Sequence, residues 1–200
     1  MFISLEGVDG SGKSTQARLL VEALGEEAMA IREPGGTDAA ERIRDLLADP
    51  GVELEPLAEL MLFLAARADL TERVIRPALE AGRTVVSDRF SDSSVAYQGA
   101  ARGLGVGEVI GLCDTATDGL WPDLTLLLEV DPETGLGRAE GEDRFESEGL
   151  NLQRAVAEAY DEIAVIASDR VVRIDAGGGV DEVHERVMEA VDEHRSRPQH

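Results

Sequence analysis

Residues Gly7-Val8-Asp9-Gly10-Ser11-Gly12-Lys13-Ser14 fit the pattern G-x-x-x-x-G-K-[ST], and no other stretch limits so narrowly what this chain can fold into. Such a loop works between a buried strand and the start of a helix, where backbone N–H groups and the helix dipole face an anion. Both flanks agree with that placement. Phe2-Ile3-Ser4-Leu5 is an apolar run of strand length, and Ala17, Leu20, Val21 and Leu24 recur at helical spacing over 15–24. Gly7, Gly10 and Gly12 let the backbone approach a phosphate chain without Cβ clashes. Lys13 then supplies a point charge for the terminal phosphates and Ser14 a hydroxyl for Mg²⁺. Lys13 is also the only lysine in the chain; every other basic side chain is arginine.

Two hundred residues make one domain, and a hydrophobic content of 43% is ample for a core. With 41 acidic against 19 basic side chains the net charge is -22, which excludes a general nucleic-acid binder and disfavours an anionic membrane surface. It fits a salty cytoplasm. Cys113 is alone, which rules out a disulfide framework, and it lies among Val109, Ile110 and Leu112 as a small core residue. No basic segment precedes an apolar one as in a signal peptide, and the longest apolar run, 60–66, is too short to span a bilayer. These features predict a cytoplasmic protein with no membrane and no nucleic acid among its partners. The three histidines, His184, His194 and His200, have no companions at ligand spacing.

Strands and helices alternate along the chain. Strands are expected at 28–31, 84–87, 124–130 and 170–174, the run at 124–130 being the most apolar and hence central. Helices are expected at 39–47 with Asp38 as N-cap, from Pro56 to a break near Pro77, from 93 toward 101, around 108–114, from Pro132, and at 150–166 and 180–191. Short apolar strands separated by helices predict an α/β fold, a parallel sheet covered on both faces, with its ligand at the C-terminal strand ends. The phosphate loop, Glu33, Asp88 and Asp131 all follow strands directly and are expected to converge there. An acidic residue at a strand tip downstream of a phosphate loop is where a Mg²⁺-organising aspartate sits, so Asp88 is a metal candidate; the alternative is an ordinary strand-end turn. Residues 135–149 are rich in Gly, Glu and Arg and read as a mobile surface lid. The expected domain is 1–195, with a polar tail at 196–200.

Several marks now stand in one order: Gly-Val-Asp-Gly-Ser-Gly-Lys-Ser-Thr from Gly7, Arg-Glu-Pro-Gly-Gly-Thr from Arg32, Phe-Leu-Ala-Ala-Arg from Phe63, Asp-Arg-Phe from Asp88, Ser-Ser-Val-Ala-Tyr-Gln-Gly from Ser93, and later Trp-Pro-Asp-Leu-Thr and Asp-Arg-Phe-Glu. In these the chain resembles the bacterial thymidylate kinases over nearly its whole length. The resemblance implies a P-loop NTPase fold with a five-stranded parallel sheet flanked by helices and a mobile lid, a homodimer, and Mg²⁺-dependent transfer of the ATP γ-phosphoryl group to dTMP. It implies that Gly7, Val8, Asp9, Gly10, Ser11, Gly12, Lys13, Ser14 and Thr15 bind ATP, and that Ser14 and Asp88 hold the metal. Asp9 accepts the 3′-hydroxyl of the dTMP sugar, and Arg89 and Arg44 grip the acceptor phosphate. Glu33 lies at the same mouth. Ser94 lies near the base, Tyr97 crowds the sugar and favours deoxyribose, and Gln98 supports it.

The base site also has a physical rationale. Phe63 and Arg67 are four apart on a helix and share a face. An aromatic ring stacks on a pyrimidine, and a guanidinium donates to the O4 carbonyl of thymine, where cytosine presents an amino donor instead. Periodicity alone reads Phe63 as core and Arg67 as solvated. The lid departs from the family's pattern: relatives whose phosphate loop carries no arginine, as here, usually carry several basic residues in the lid, and this one keeps only Arg138 and Arg144. By resemblance Arg138 packs on adenine or reaches the phosphates, Arg144 approaches the transferred group, and Asp143 faces the substrate; the alternative is that the lid charges are solvated. Two rivals remain at this stage: a kinase of the same fold with other monophosphate specificity, and a P-loop ATP-binding switch.

Overall fold

In the computed structural model, which describes residues 1–138 and 149–197, the first strand β1 (Phe2–Glu6) is buried along its full length. That follows from its place in the middle of the sheet, where both faces are covered and an apolar run is required. The five strands are β1, β2 (Ala28–Arg32), β3 (Thr84–Asp88), β4 (Leu124–Glu129) and β5 (Val171–Asp175). Their order is β2-β3-β1-β4-β5 and every pairing is parallel. The central strand is therefore β1, not the more apolar 124–130 run. β4 lies beside it, paired to β1 and β5, and is equally enclosed, which is why hydrophobicity alone does not separate the two.

Helices α1 (Lys13–Leu24) and α9 (Val180–Ser196) cover one face, with Ala17, Leu20, Val183, Val187 and Val191 packed on Ile3, Leu5, Leu126 and Ile174. On the other face α3 (Pro56–Leu70), α6 (Val106–Thr117) and α8 (Gly149–Ile166) form a second core around Leu60, Leu64, Val109, Cys113, Val156 and Tyr160. Cys113 is fully buried, as its neighbours predicted. Among the described residues no helix is long and apolar enough to cross a membrane.

Several local expectations are corrected. Helix α2 (Asp38–Ala48) begins one residue early, and its N-cap is Thr37, whose hydroxyl accepts the Ala40 N–H at 3.1 Å; Asp38 is the first helical residue, where its charge still meets the dipole. The chain does not break at Pro77. A π-helical stretch at Thr71–Ile75 leads into α4 (Arg76–Glu80), and Pro77 falls in the first turn of that segment, where a missing N–H is tolerated. The helix expected from 93 starts earlier as α5 (Ser91–Ser94) and continues as a second π-helical stretch, Val95–Ala101. Helix α9 runs to Ser196, so it takes in the first residue of the expected tail. Helix α7 (Pro132–Arg138) takes up the first residues of the expected lid.

Candidate active site

The C-terminal edge of the sheet carries the phosphate loop after β1, Glu33 after β2 and the Asp88-Arg89-Phe90 turn after β3. The left-handed Gly12 (φ 95°) leads the loop into α1. Gly10 (φ 69°) lies against α7: a Cβ on it would come 1.9 Å from the Gly135 carbonyl oxygen, and one on Gly135 would come 2.5 Å from that of Asp9. Gly135 is thus a buried wall of the phosphate loop rather than part of a surface lid.

Lys13 is buried and folded over its own loop. Its Nζ donates to the carbonyls of Val8 at 2.7 Å and Gly7 at 3.2 Å, and to Ser11 Oγ at 3.2 Å. Burial first, and then the charge of Arg89, hold its ammonium down to about 8. The exposed Ser14 hydroxyl donates to Asp88 Oδ2, so two hard oxygens stand side by side at the loop. Thr15 sits in the first turn of α1, behind Ser14, and does not line the cavity.

One cavity of about 310 Å³ opens at this edge, a volume in the range that takes a small ligand. Of the predicted residues, Asp9, Gly10, Lys13, Ser14, Glu33, Arg44, Phe63, Arg67, Asp88, Arg89, Ser94, Tyr97 and Gln98 line it. Gly7, Val8, Ser11 and Gly12 shape the loop without lining it. Arg138 ends α7 and donates to the Ala176 carbonyl at 3.4 Å, outside this cavity. Asp143 and Arg144 lie outside the described residues. Asp131 does not converge with the others. Its carboxylate caps α7, accepting the N–H groups of Glu133 and Thr134 at 3.1 Å, a local demand that a strand-end aspartate meets as readily as a catalytic one.

The charged side chains are tightly held. Arg89 donates to Asp9 Oδ1, to the Gly7 carbonyl at 3.1 Å and to Ser93 Oγ at 3.0 Å, and its guanidinium lies 5.1 Å from the Tyr97 ring. Tyr97 Oη donates to Asp9 Oδ1 at 3.2 Å. Burial works against the Asp9 carboxylate, yet Arg89 and Lys13, with bonds from Gln153 and Tyr97, hold it below the usual range. Arg67 is 2% exposed, with Nε donating to Glu33 Oε2 at 2.7 Å, Nη1 to Ser94 Oγ at 3.0 Å and Nη2 to the Phe90 carbonyl at 3.1 Å. Burial pushes the Glu33 carboxyl up against the opposing charge of Arg67, and its Oε1 has no partner among the described residues. Arg67 is therefore not the solvated helix charge that periodicity alone suggests. Arg44 Nη1 donates to the Pro34 carbonyl at 3.1 Å.

Four contributors escaped the sequence reading. Gln153 on α8 clamps Asp9 twice, accepting its N–H at 3.0 Å and donating to Oδ2 at 2.6 Å. Glu59, 1% exposed, accepts from Gln98 Nε2 at 2.9 Å and pairs with Arg102 at 2.7 Å. Glu6 and Tyr160 lie beneath Arg89. The signal for three of them was in the sequence: Glu6 ends an apolar strand, and Glu59 and Gln153 occupy inward positions of helices that are otherwise apolar there.

The family model described as thymidylate kinase matches residues 5–187. A thymidylate kinase of Synechococcus sp. (strain JA-2-3B'a(2-13)) is 47% identical over 195 residues, covering 96% of this chain and 94% of that protein. One of Deinococcus radiodurans is 43% identical over 199 residues, covering 96% and 97%. The crystal structure of thymidylate kinase from Ehrlichia chaffeensis superposes with a TM-score of 0.81 at 32% identity, covering 96% of this chain and 98% of that one.

Proposed function

The chain belongs to the thymidylate kinase family, and from that membership we propose how its own residues carry the reaction. The enzyme transfers the γ-phosphoryl group of ATP to dTMP, giving dTDP and ADP. The observation that carries the assignment of residues is the cavity in which Lys13, Ser14 and Asp88 stand with Asp9 and Arg89 and with Phe63 and Arg67.

The loop N–H groups and Lys13 hold the ATP phosphates, and Lys13 exchanges its loop carbonyls for phosphate oxygens on binding. Ser14 and Asp88 would hold Mg²⁺ with their adjacent oxygens, a donor set that suits a cation bound through one or two protein oxygens and substrate phosphate. The metal's contribution when bound is to neutralise charge developing on the transferred group. Arg89 and Arg44 receive the acceptor phosphate. Asp9, kept ionised by Arg89, accepts the sugar 3′-hydroxyl, and Tyr97 closes the space a 2′-hydroxyl would take. Phe63 stacks on the base. Arg67, rigid between Glu33 and Ser94, meets the thymine O4, and Gln98 supports Tyr97.

The acceptor is largely a dianion at neutral pH and needs no strong general base. Catalysis is positioning and charge neutralisation of an in-line transfer. By the family resemblance Arg138 serves ATP and Asp143 the substrate, and transition-state charge falls mainly on Arg144. Initial-rate kinetics of Arg144→Ala test this: kcat falls roughly a hundredfold or more while the KM for dTMP changes little. An unchanged kcat removes Arg144 from catalysis.

We place the enzyme in the cytoplasm as a homodimer. Support for the dimer comes from α3, which turns Leu57 (52% exposed) and Met61 (44%), one turn apart, away from the core. Sedimentation velocity giving twice the chain mass supports it, and monomer mass at micromolar concentration contradicts it.

A further inference from the structure

Glu6 takes no part in the reaction just described, yet its carboxylate is fully buried beneath Arg89. Oε1 accepts the Phe90 N–H at 2.7 Å; Oε2 accepts the Ser93 hydroxyl at 2.6 Å and the Tyr160 hydroxyl at 2.8 Å. Burial above all, and then the like charge of Asp92, push its carboxyl up to about 7. A carboxylate in such a place is costly unless its bonds are needed.

Two of its three bonds lead to Arg89. That residue has φ 71°, one of two left-handed non-glycine residues among those described, a conformation that persists only where the surroundings over-determine it. Here the Arg89 N–H donates to the Leu5 carbonyl at 3.0 Å, Ser87 Oγ donates to the Arg89 carbonyl at 2.5 Å, and the next N–H, that of Phe90, is held by Glu6. The Ser93 hydroxyl that donates to Glu6 is also the one that accepts from the Arg89 guanidinium. Glu6 thus grips the backbone on one side of Arg89 and the side chain on the other. Tyr160 brings α8 to the same carboxylate.

We propose that Glu6 is a positioning residue for phosphoryl transfer: through the Phe90 amide and the Ser93 hydroxyl it fixes the backbone and guanidinium of Arg89 in the pose that receives the acceptor phosphate. This rests on the reading of Arg89 as the acceptor-phosphate arginine, and the test separates the two.

Steady-state kinetics at pH 8 on wild type, Glu6→Gln, Arg89→Ala and the double variant form a cycle, with thermal melting and ATP affinity measured in parallel. Glu6→Gln raises the KM for dTMP about tenfold, leaves ATP affinity within about twofold, and adds less than about twofold when Arg89 is already alanine. An equal loss in the Arg89→Ala background, or equal weakening of ATP and dTMP, overturns the proposal and leaves Glu6 a structural residue. If Arg89→Ala itself spares dTMP use, the reading of Arg89 fails, and the role of Glu6 fails with it. Should Glu6→Gln not fold, Tyr160→Phe removes one donor and keeps the ring. It then raises the KM for dTMP about threefold, with the same disappearance in the Arg89→Ala background; no change in KM overturns the proposal.

Discussion

Arg89, Asp9 and Lys13 form one electrostatic unit: the charges of Arg89 and Asp9 act on Lys13, and those of Arg89 and Lys13 act on Asp9. Burial, then Arg89, holds the Lys13 ammonium down to about 8 before any nucleotide arrives. ATP adds negative charge beside it and favours the charged form, so its pKa rises on binding. Near pH 8 to 9, complex formation therefore takes up protons, and the uptake fades below about pH 6.5, where the free site is already charged. Calorimetry in two buffers of different ionisation enthalpy measures this; proton release at pH 8.5 contradicts it. Asp9 shows the opposite case. Burial opposes its charge, but Arg89, Lys13 and Gln153 keep it an anion. Asp9→Asn keeps the shape and removes that charge, and it raises the KM for dTMP by roughly tenfold with a smaller effect on ATP. A larger effect on ATP than on dTMP moves Asp9 out of the sugar site.

At the scale of elements, the strand–loop–helix unit from Phe2 to Leu24 was fully legible, because a glycine-rich phosphate loop tolerates only that context. The lining of the cavity was legible residue by residue where motifs carry it: Asp88, Arg89, Phe63, Arg67, Tyr97 and Gln98 meet as expected. What escaped was anything decided by packing. Asp131 follows a strand just as Asp88 does, yet it caps α7, and no local signal separates the two. Gly135 looked like lid glycine because its contact is with the distant Gly10. That contact makes a prediction. Gly135 lies in a helix, where alanine is favoured on propensity alone by about 1 kcal/mol, so an exposed glycine would gain from Gly135→Ala. Instead the new Cβ presses on the Asp9 carbonyl. The variant loses about 1–3 kcal/mol of stability by chemical denaturation and binds ATP more weakly. A stabilised variant with normal ATP affinity contradicts the contact.

The whole molecule carries a net charge of -22 on 200 residues, and self-repulsion destabilises its compact form. Raising KCl from about 0.1 to 1 M shortens the Debye length from about 10 to 3 Å, and the melting temperature rises on the order of 5 °C. A flat or falling melting temperature sinks the link between this surface and a salty cytoplasm. The same charge leaves the cavity as a concentration of positive side chains in a negative body, where Lys13, Arg44, Arg67 and Arg89 converge on one opening. On the proposed function, this opening selects its nucleoside monophosphate by the base. ADP release from ATP and Mg²⁺, measured with dTMP, dUMP, dCMP and AMP added in turn, tests it most directly. The expected result is strong stimulation by dTMP, weaker by dUMP, and none by dCMP or AMP. Turnover indifferent to every monophosphate contradicts it.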